Sequence, residues 1–121
     1  WDAALASRWE HPPVWVHGDV SAGNLLVSDG RLSAVLDFGS AAIGDPACDL
    51  YIAWTFLDAA GRAALRRTVG LDAAAWARGR GWTLWKALIV MAGRSDGAAE
   101  GWAQRVIGEI IADHRDEQKA R

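Results

Sequence analysis

The spacing of the apolar residues turns from strand-like to helical near Asp45, and that change limits the folds open to this chain. From Val14 to Phe38 they come in short runs divided by Gly, Ser and Asp: Val14-Trp15-Val16, then Asn24 to Val27, then Arg31 to Phe38. Runs of that length between turn formers are strands. From Asp45 onward the pattern is helical. Asp45-Pro46 supplies an N-cap and a first-turn proline, and Leu50, Trp54 and Leu57 follow at helical spacing. Strands first and helices after predict an α+β fold, a small antiparallel hairpin region packed on a mostly helical bundle, without the alternation that builds a parallel sheet.

The turn at Ser28-Asp29-Gly30-Arg31 sharpens the first half, because Asp-Gly favours the centre of a two-residue hairpin loop. Regular pairing from that turn sets Val27 against Leu32, Leu25 against Ala34 and Asn24 against Val35. Parity then puts Leu25, Val27, Leu32, Ala34 and Leu36 on one apolar face, and Asn24, Leu26, Ser33, Val35 and Asp37 on the other. In the second half, a helix around 62–69 stops at Gly70. Another starts near Asp72, carries Trp76, Trp85, Leu88 and Ala92 inward, and is open to division at Gly79 and Gly81. The last, roughly 97–112, has Trp102, Val106, Ile107, Ile110 and Ile111 as its stripe, and 115–121 reads as a solvated, frayed tail. Before the strands, 2–9 reads as a helix with Asp2 as N-cap, stopped by His11-Pro12-Pro13.

Composition excludes several partners. A formal net charge of −2 offers no broad cationic surface to nucleic acid. The most apolar stretch, 82–92, is broken by Lys86 and falls short of the roughly 18 to 20 residues of a membrane span, so no membrane partner is expected. The lone Cys48 excludes an internal disulfide, reads as a buried apolar residue and fits a reducing cytoplasm. Eight tryptophans in 121 residues is a heavy load; about six are expected in the core, with Trp1 and Trp82 near a surface where more protein docks. The chain starts at Trp1 without an initiator methionine, so it is read as a piece of a longer protein.

The chemistry lies in His17-Gly18-Asp19-Val20-Ser21-Ala22-Gly23-Asn24 and, thirteen residues beyond Asn24, Asp37-Phe38-Gly39. On the regular pairing, Asn24 and Asp37 are same-face diagonal neighbours with α-carbons about 7 to 8 Å apart. Two such oxygen-bearing side chains suit Mg²⁺, which keeps water and substrate phosphate for its other positions. Asp19 follows the first strand and turns back over that position, where a carboxylate can accept a hydroxyl proton. Each residue also has a plainer reading: Asn24 as a turn residue, Asp19 as a loop carboxylate, Asp45 as a helix cap, His17 as a structural ring.

The pattern His-Gly-Asp, four residues, Asn, then Asp-Phe-Gly resembles the catalytic loop and metal motif of the protein-kinase-like superfamily. Glycine at 18, followed by Gly44-Asp45-Pro46-Ala47-Cys48-Asp49-Leu50, makes it more similar to the aminoglycoside phosphotransferase and choline kinase branch. The resemblance covers 14–54 with specific motifs. It implies a kinase-like C-terminal lobe with catalytic and metal loops at 14–40, a helical subdomain at 45–114 and a tail at 115–121. It also implies Asp19 as the catalytic base, Asn24 and Asp37 as ligands of Mg²⁺ and hence of the ATP phosphates, His17 as a packing residue beneath the loop, and Asp49 holding the loop backbone. For Asp49 the first-turn helix dipole is an equal explanation. Many relatives have His-Pro where this chain has Ser21-Ala22. No glycine-rich phosphate loop, nucleotide-binding lysine or partner glutamate precedes residue 14, so the N-terminal lobe of the same protein is the missing partner.

The resemblance thus implies an ATP-dependent O-phosphotransferase acting on a small-molecule hydroxyl, of the aminoglycoside phosphotransferase type, with residues 1–121 inactive or nearly so alone. Choline, homoserine or sugar kinase activity is the alternative within the class, and a catalytically silent binding module the alternative outside it. A metal-dependent phosphohydrolase would need more His and Asp ligands. For a cationic antibiotic, Asp58, Glu100, Glu109 or Asp113 are the carboxylates available to line the acceptor mouth.

Overall fold

The computed structural model describes residues 1–93 and 97–119. The fold is α+β: two small antiparallel sheets and a helical bundle, with Val14–Val16 of one sheet packed on a 3₁₀ segment that leads into the helices. Helix α1 (Asp2–Leu5) leads to strand β1 (Val14–Val16), hairpin strands β2 (Leu25–Ser28) and β3 (Arg31–Val35), and strand β4 (Ala42–Gly44). That 3₁₀ segment, Pro46–Tyr51, runs into α2 (Ile52–Thr55), followed by α3 (Ala59–Val69), α4 (Ala73–Ala92) and α5 (Gly97–Lys119).

Local signals placed most boundaries. Asp45, Asp58 and Asp72 each accept a backbone N–H as N-caps, with Pro46 in the first turn behind Asp45. Gly70, at φ 63°, closes α3 in the left-handed region where glycine carries no Cβ penalty. At the other end of the chain, α1 is shorter than expected, with Trp1 and not Asp2 at its N-cap. Just beyond its end, the Ser7 hydroxyl accepts a hydrogen bond from Arg78 Nη1 at 2.9 Å, which ties this segment to α4.

The hairpin turns at Asp29-Gly30 as expected, with Ser28 opposite Arg31 and Val27 opposite Leu32. Then Ser33 is looped out. Its hydroxyl donates to Leu26 O, and beyond this bulge Leu26 faces Ala34 and Leu25 faces Val35. The regular register is therefore off by one past the bulge, and Asn24 lies opposite Leu36, whose N–H donates to Asn24 O at 2.8 Å. Strand β4 carries too few residues for a periodic signal; it pairs Gly44, Ile43 and Ala42 with Val14, Trp15 and Val16 and closes the second sheet.

The core sits between the helices and the 3₁₀ segment. Leu50, Ala53, Trp54, Trp76, Ala87, Ala103, Val106 and Ile110 are its buried members. Trp54 and Trp76 meet edge to face at 5.7 Å, and the Arg66 guanidinium lies 4.4 Å from the Trp76 ring centre. The buried stripe of α4 runs through Trp76, Arg80, Thr83 and Ala87, so Trp85, Leu88 and Ala92 face outward, against expectation. The charge on Arg80 disguised that stripe. Only Trp54 and Trp76 of the eight tryptophans are fully buried, while Trp1, Trp15, Trp82 and Trp85 are exposed.

Helix α4 is not divided. A Cβ on Gly79 would lie 2.8 Å from Leu50 Cβ and 3.2 Å from Ala47 O, and one on Gly81 would lie 2.5 Å from Ala4 Cβ. These glycines let the 3₁₀ segment and α1 approach the helix. Gly79→Ala gains about 1 kcal/mol of helix propensity but inserts a methyl into that contact, an overpacking that costs about 1 to 3 kcal/mol. The expected result is a net loss on the order of 1 kcal/mol, read as a lower urea midpoint; a higher midpoint would show that the contact yields.

The expected tail is also helical, through Lys119. Arg80 on α4 pairs with Asp113 and Glu117, Arg62 on α3 with Glu109 and Asp113, and Arg66 with Glu117. This network clasps α3, α4 and the C-terminal half of α5 together. Residues 120–121 of the expected tail lie outside the described residues.

Candidate active site

Leaving β1, the chain turns through His17 and Gly18, whose amides are no longer part of the sheet. The Asp49 carboxylate, on the 3₁₀ segment behind, accepts from both, His17 N at 2.7 Å and Gly18 N at 2.8 Å. Gly18 has φ 82°, and a Cβ there would stand 2.4 Å from Ser40 O, so both conformation and space demand glycine. The His17 ring is buried beneath the loop. Its Nδ1 accepts from Asp19 N at 3.2 Å, which assigns the ring proton to Nε2, donating to Leu36 O at 2.8 Å. The ring also packs on Phe38, with centroids 4.6 Å apart. One side chain thereby joins the Asp19 loop to the segment that carries Asp37.

Asn24 closes a short 3₁₀ turn, Ala22–Asn24, and its Nδ2 donates to Asp19 O at 2.9 Å and to Asp19 Oδ2 at 3.2 Å. That fixes the amide orientation and leaves Asn24 Oδ1 without a hydrogen bond among the described residues. Asp37 directly follows Leu36, the backbone partner of Asn24. It lies past the end of β3 in the left-handed region, φ 59°, with Oδ1 accepting from Gly39 N at 3.3 Å. Parity of the strand therefore does not set its direction; the turn does. The backbones carrying Asn24 and Asp37 are adjacent through the bulged register, not through the diagonal pairing that regular counting predicted.

Two residues that sequence reasoning passed over complete the surroundings. Lys86 Nζ, from α4, lies 3.7 Å from Asp19 Oδ1 and 4.4 Å from the centre of the Tyr51 ring. Burial, and then the negative charge of Asp19, push the Tyr51 phenol above its ordinary pKa. The available signal was a lone lysine inside the apolar stretch 82–92, which says that the charge has a purpose without naming its target. Cys48 is half-buried rather than fully buried. Burial, helped by the charges of Asp49 and Asp45, raises its thiol to about 11, so it is protonated at neutral pH and no nucleophile.

The carboxylates considered for a cationic acceptor are engaged elsewhere. Asp58 caps α3 through Gly61 N, Glu109 and Asp113 belong to the arginine clasp, and Glu100 accepts from Gln104 on the surface of α5. Asp45 combines its cap with an ion pair to the buried Arg78 at 2.7 Å. Among the described residues no group of three or more His, Cys, Asp or Glu side chains forms a metal cage. An apolar cavity of about 350 Å³, lined by Trp1, Ala4, Leu5, Arg78, Gly81, Trp82 and Trp85, does not include Asp19. Trp1 and Trp82 do share an exposed surface there.

The family model of APH, the phosphotransferase enzyme family, matches residues 1–82, more than half of the chain. The chain belongs to the phosphotransferase enzyme family. It is similar to an aminoglycoside 3'-phosphotransferase of Escherichia coli, 41% identical over 46 residues, which are 38% of this chain and 17% of that protein. It is also similar to the serine/threonine-protein kinase SULU of Caenorhabditis elegans, 45% identical over 42 residues, 35% of this chain and 4% of that protein. The match spans less than a fifth of the length of either relative. No solved structure matches. The family match runs through the loop that carries Asp19 and Asn24, both sheets, Asp37, the 3₁₀ segment that carries Asp49 and the first half of α4.

Proposed function

We propose that residues 1–121 carry the base and magnesium half of an ATP-dependent O-phosphotransferase of the aminoglycoside phosphotransferase type, acting on a small-molecule hydroxyl. The observation that carries this reading is the arrangement of Asp19: one carboxylate oxygen touches Asn24, whose backbone is joined to the Asp37 segment, while the other faces away toward α4. In the reaction, the acceptor hydroxyl oxygen bonds to the γ-phosphorus of ATP and the bond to the β,γ-bridging oxygen breaks. ADP leaves, and the hydroxyl proton passes to Asp19. Such transfer depends mostly on positioning and charge neutralisation.

The donor set fits magnesium. Asn24 Oδ1 is left without a hydrogen bond by the orientation of its amide, and Asp37 Oδ2 makes none among the described residues. A two-oxygen protein contribution suits an ion that retains water and phosphate ligands. Bound there, the ion would neutralise phosphate charge; Asn24 and Asp37 would hold it, and Asp49 and His17 keep the loop that presents Asp19.

The nucleotide-cradling lobe is proposed as the partner of this chain within the same protein. Trp15, Val27, Leu32 and Ile43 on the two sheets, and Phe38 on the turn between β3 and β4, stand exposed, an apolar surface that such a lobe would cover. Without it, residues 1–121 would turn over slowly or not at all. No helix of the described residues is long and apolar enough to cross a membrane. The cytoplasm, where ATP is abundant and a lone thiol stays reduced, is the proposed compartment.

In the complete protein, Asp37→Ala is expected to weaken Mg·ATP binding by about tenfold or more, the loss of one charge-assisted contact. Calorimetric titration of Mg·ATP into both proteins checks it, and unchanged affinity would remove Asp37 from the metal site. A second reading, a sugar or homoserine kinase-like enzyme, is favoured by one observation: the charged group beside Asp19 is a lysine, and the carboxylates suited to a polycation are engaged elsewhere.

A further inference from the structure

We propose that the acceptor carries an oxyanion, a carboxylate or a phosphate, beside the hydroxyl to be phosphorylated, and that Lys86 is the residue that selects it. The proposal rests on the phosphotransfer reading above and names the substrate class of that same site.

The two oxygens of Asp19 face different neighbours. Oδ2 lies 3.2 Å from Asn24 Nδ2, on the hairpin side where the ion and nucleotide belong. Oδ1 lies 3.7 Å from Lys86 Nζ, on the α4 side, which leaves that side for the acceptor. A hydroxyl that donates to Oδ1 therefore arrives with its neighbouring substituents next to an ammonium.

Lys86 is not explained as a structural staple. The side chains of Lys86 and Asp19 are 34% and 44% exposed, and ion pairs so open to water add little stability. Its ammonium is nevertheless held in place, over the Tyr51 ring at 4.4 Å. The ring orients the charge without neutralising it. An incoming oxyanion takes the ammonium from Asp19 and leaves Oδ1 free for the hydroxyl, whereas an acceptor ammonium meets a like charge at ion-pair distance.

The test uses the complete protein with Mg·ATP and pyranose acceptors that differ in charge: glucuronate, glucose and glucosamine, with kanamycin as the polycation. ADP release gives kcat/KM for each. Wild type is expected to favour glucuronate over glucosamine by about tenfold or more, the scale of one close charge contact. Lys86→Met should abolish that preference, and Lys86→Arg should keep it, which separates charge from bulk. A preference for glucosamine or kanamycin in wild type, or a glucuronate preference that survives Lys86→Met, would overturn the proposal while leaving phosphotransfer intact. ADP release from none of the four acceptors, at a rate equal to that of Asp19→Asn, would overturn the phosphotransfer reading and this one with it.

Discussion

Asp19→Asn in the complete protein is expected to lower turnover by about 10²- to 10⁴-fold, the usual contribution of a positioned general base. Nucleotide affinity should stay near wild type. The substitution preserves size, and the amide oxygen of the replacement side chain can still accept from Asn24, so the loop keeps its shape. Asp49 and His17 hold the loop through backbone atoms and do not depend on the carboxylate of residue 19. What is lost is the acceptor for the hydroxyl proton. Steady-state ADP release with a saturating acceptor, beside a Mg·ATP titration, separates the two quantities. Turnover within threefold of wild type, or a parallel collapse of nucleotide binding, would remove Asp19 from the role of base.

The largest expected stability effect lies far from the chemistry, at Asp113. Its carboxylate accepts from Trp54 Nε1 at 3.1 Å and from Arg80 Nη1 at 3.1 Å, and it pairs with Arg62 Nε at 3.4 Å. The two arginine side chains are only 7% and 8% exposed. Asp113→Ala leaves both largely buried guanidiniums short of a partner and orphans the indole N–H of a core tryptophan. Breaking a buried pair from one side typically costs about 3 to 5 kcal/mol, much of it the uncompensated charge left behind. Glu109 and Glu117 still contact Arg62 and Arg80, so the lower part of that range is expected. Urea unfolding followed by tryptophan fluorescence measures it. A loss below about 1 kcal/mol would mean that the remaining carboxylates carry the network.

Both predictions depend on residues whose visibility in the sequence differed. Asp19 stands in a motif whose neighbours are within a few positions, so its loop was legible. Asp113 stands in a charged stretch near the C-terminus, where nothing local distinguishes a clasp from a solvated face. Glu117 is the same case: 115–119 looked like a frayed tail because its partners, Arg80 and Arg66, are 37 and 51 positions away. Lys86 looked like a break in an apolar run, and only the packing of α4 near the loop that carries Asp19 brought the two side chains together.

By itself the sequence determined what neighbouring residues decide among themselves. The Asp29-Gly30 turn, the helix starts at Asp45 and Asp72, the stop at Gly70 and the order of strands before helices all follow from preferences acting over a few bonds. Tertiary structure decided the rest. The bulge at Ser33, the continuity of α4 through Gly79 and Gly81, the outward turn of Trp85 and the arginine clasp each depend on contacts with a second element, and no local preference encodes the distance to a partner that folding has yet to bring close.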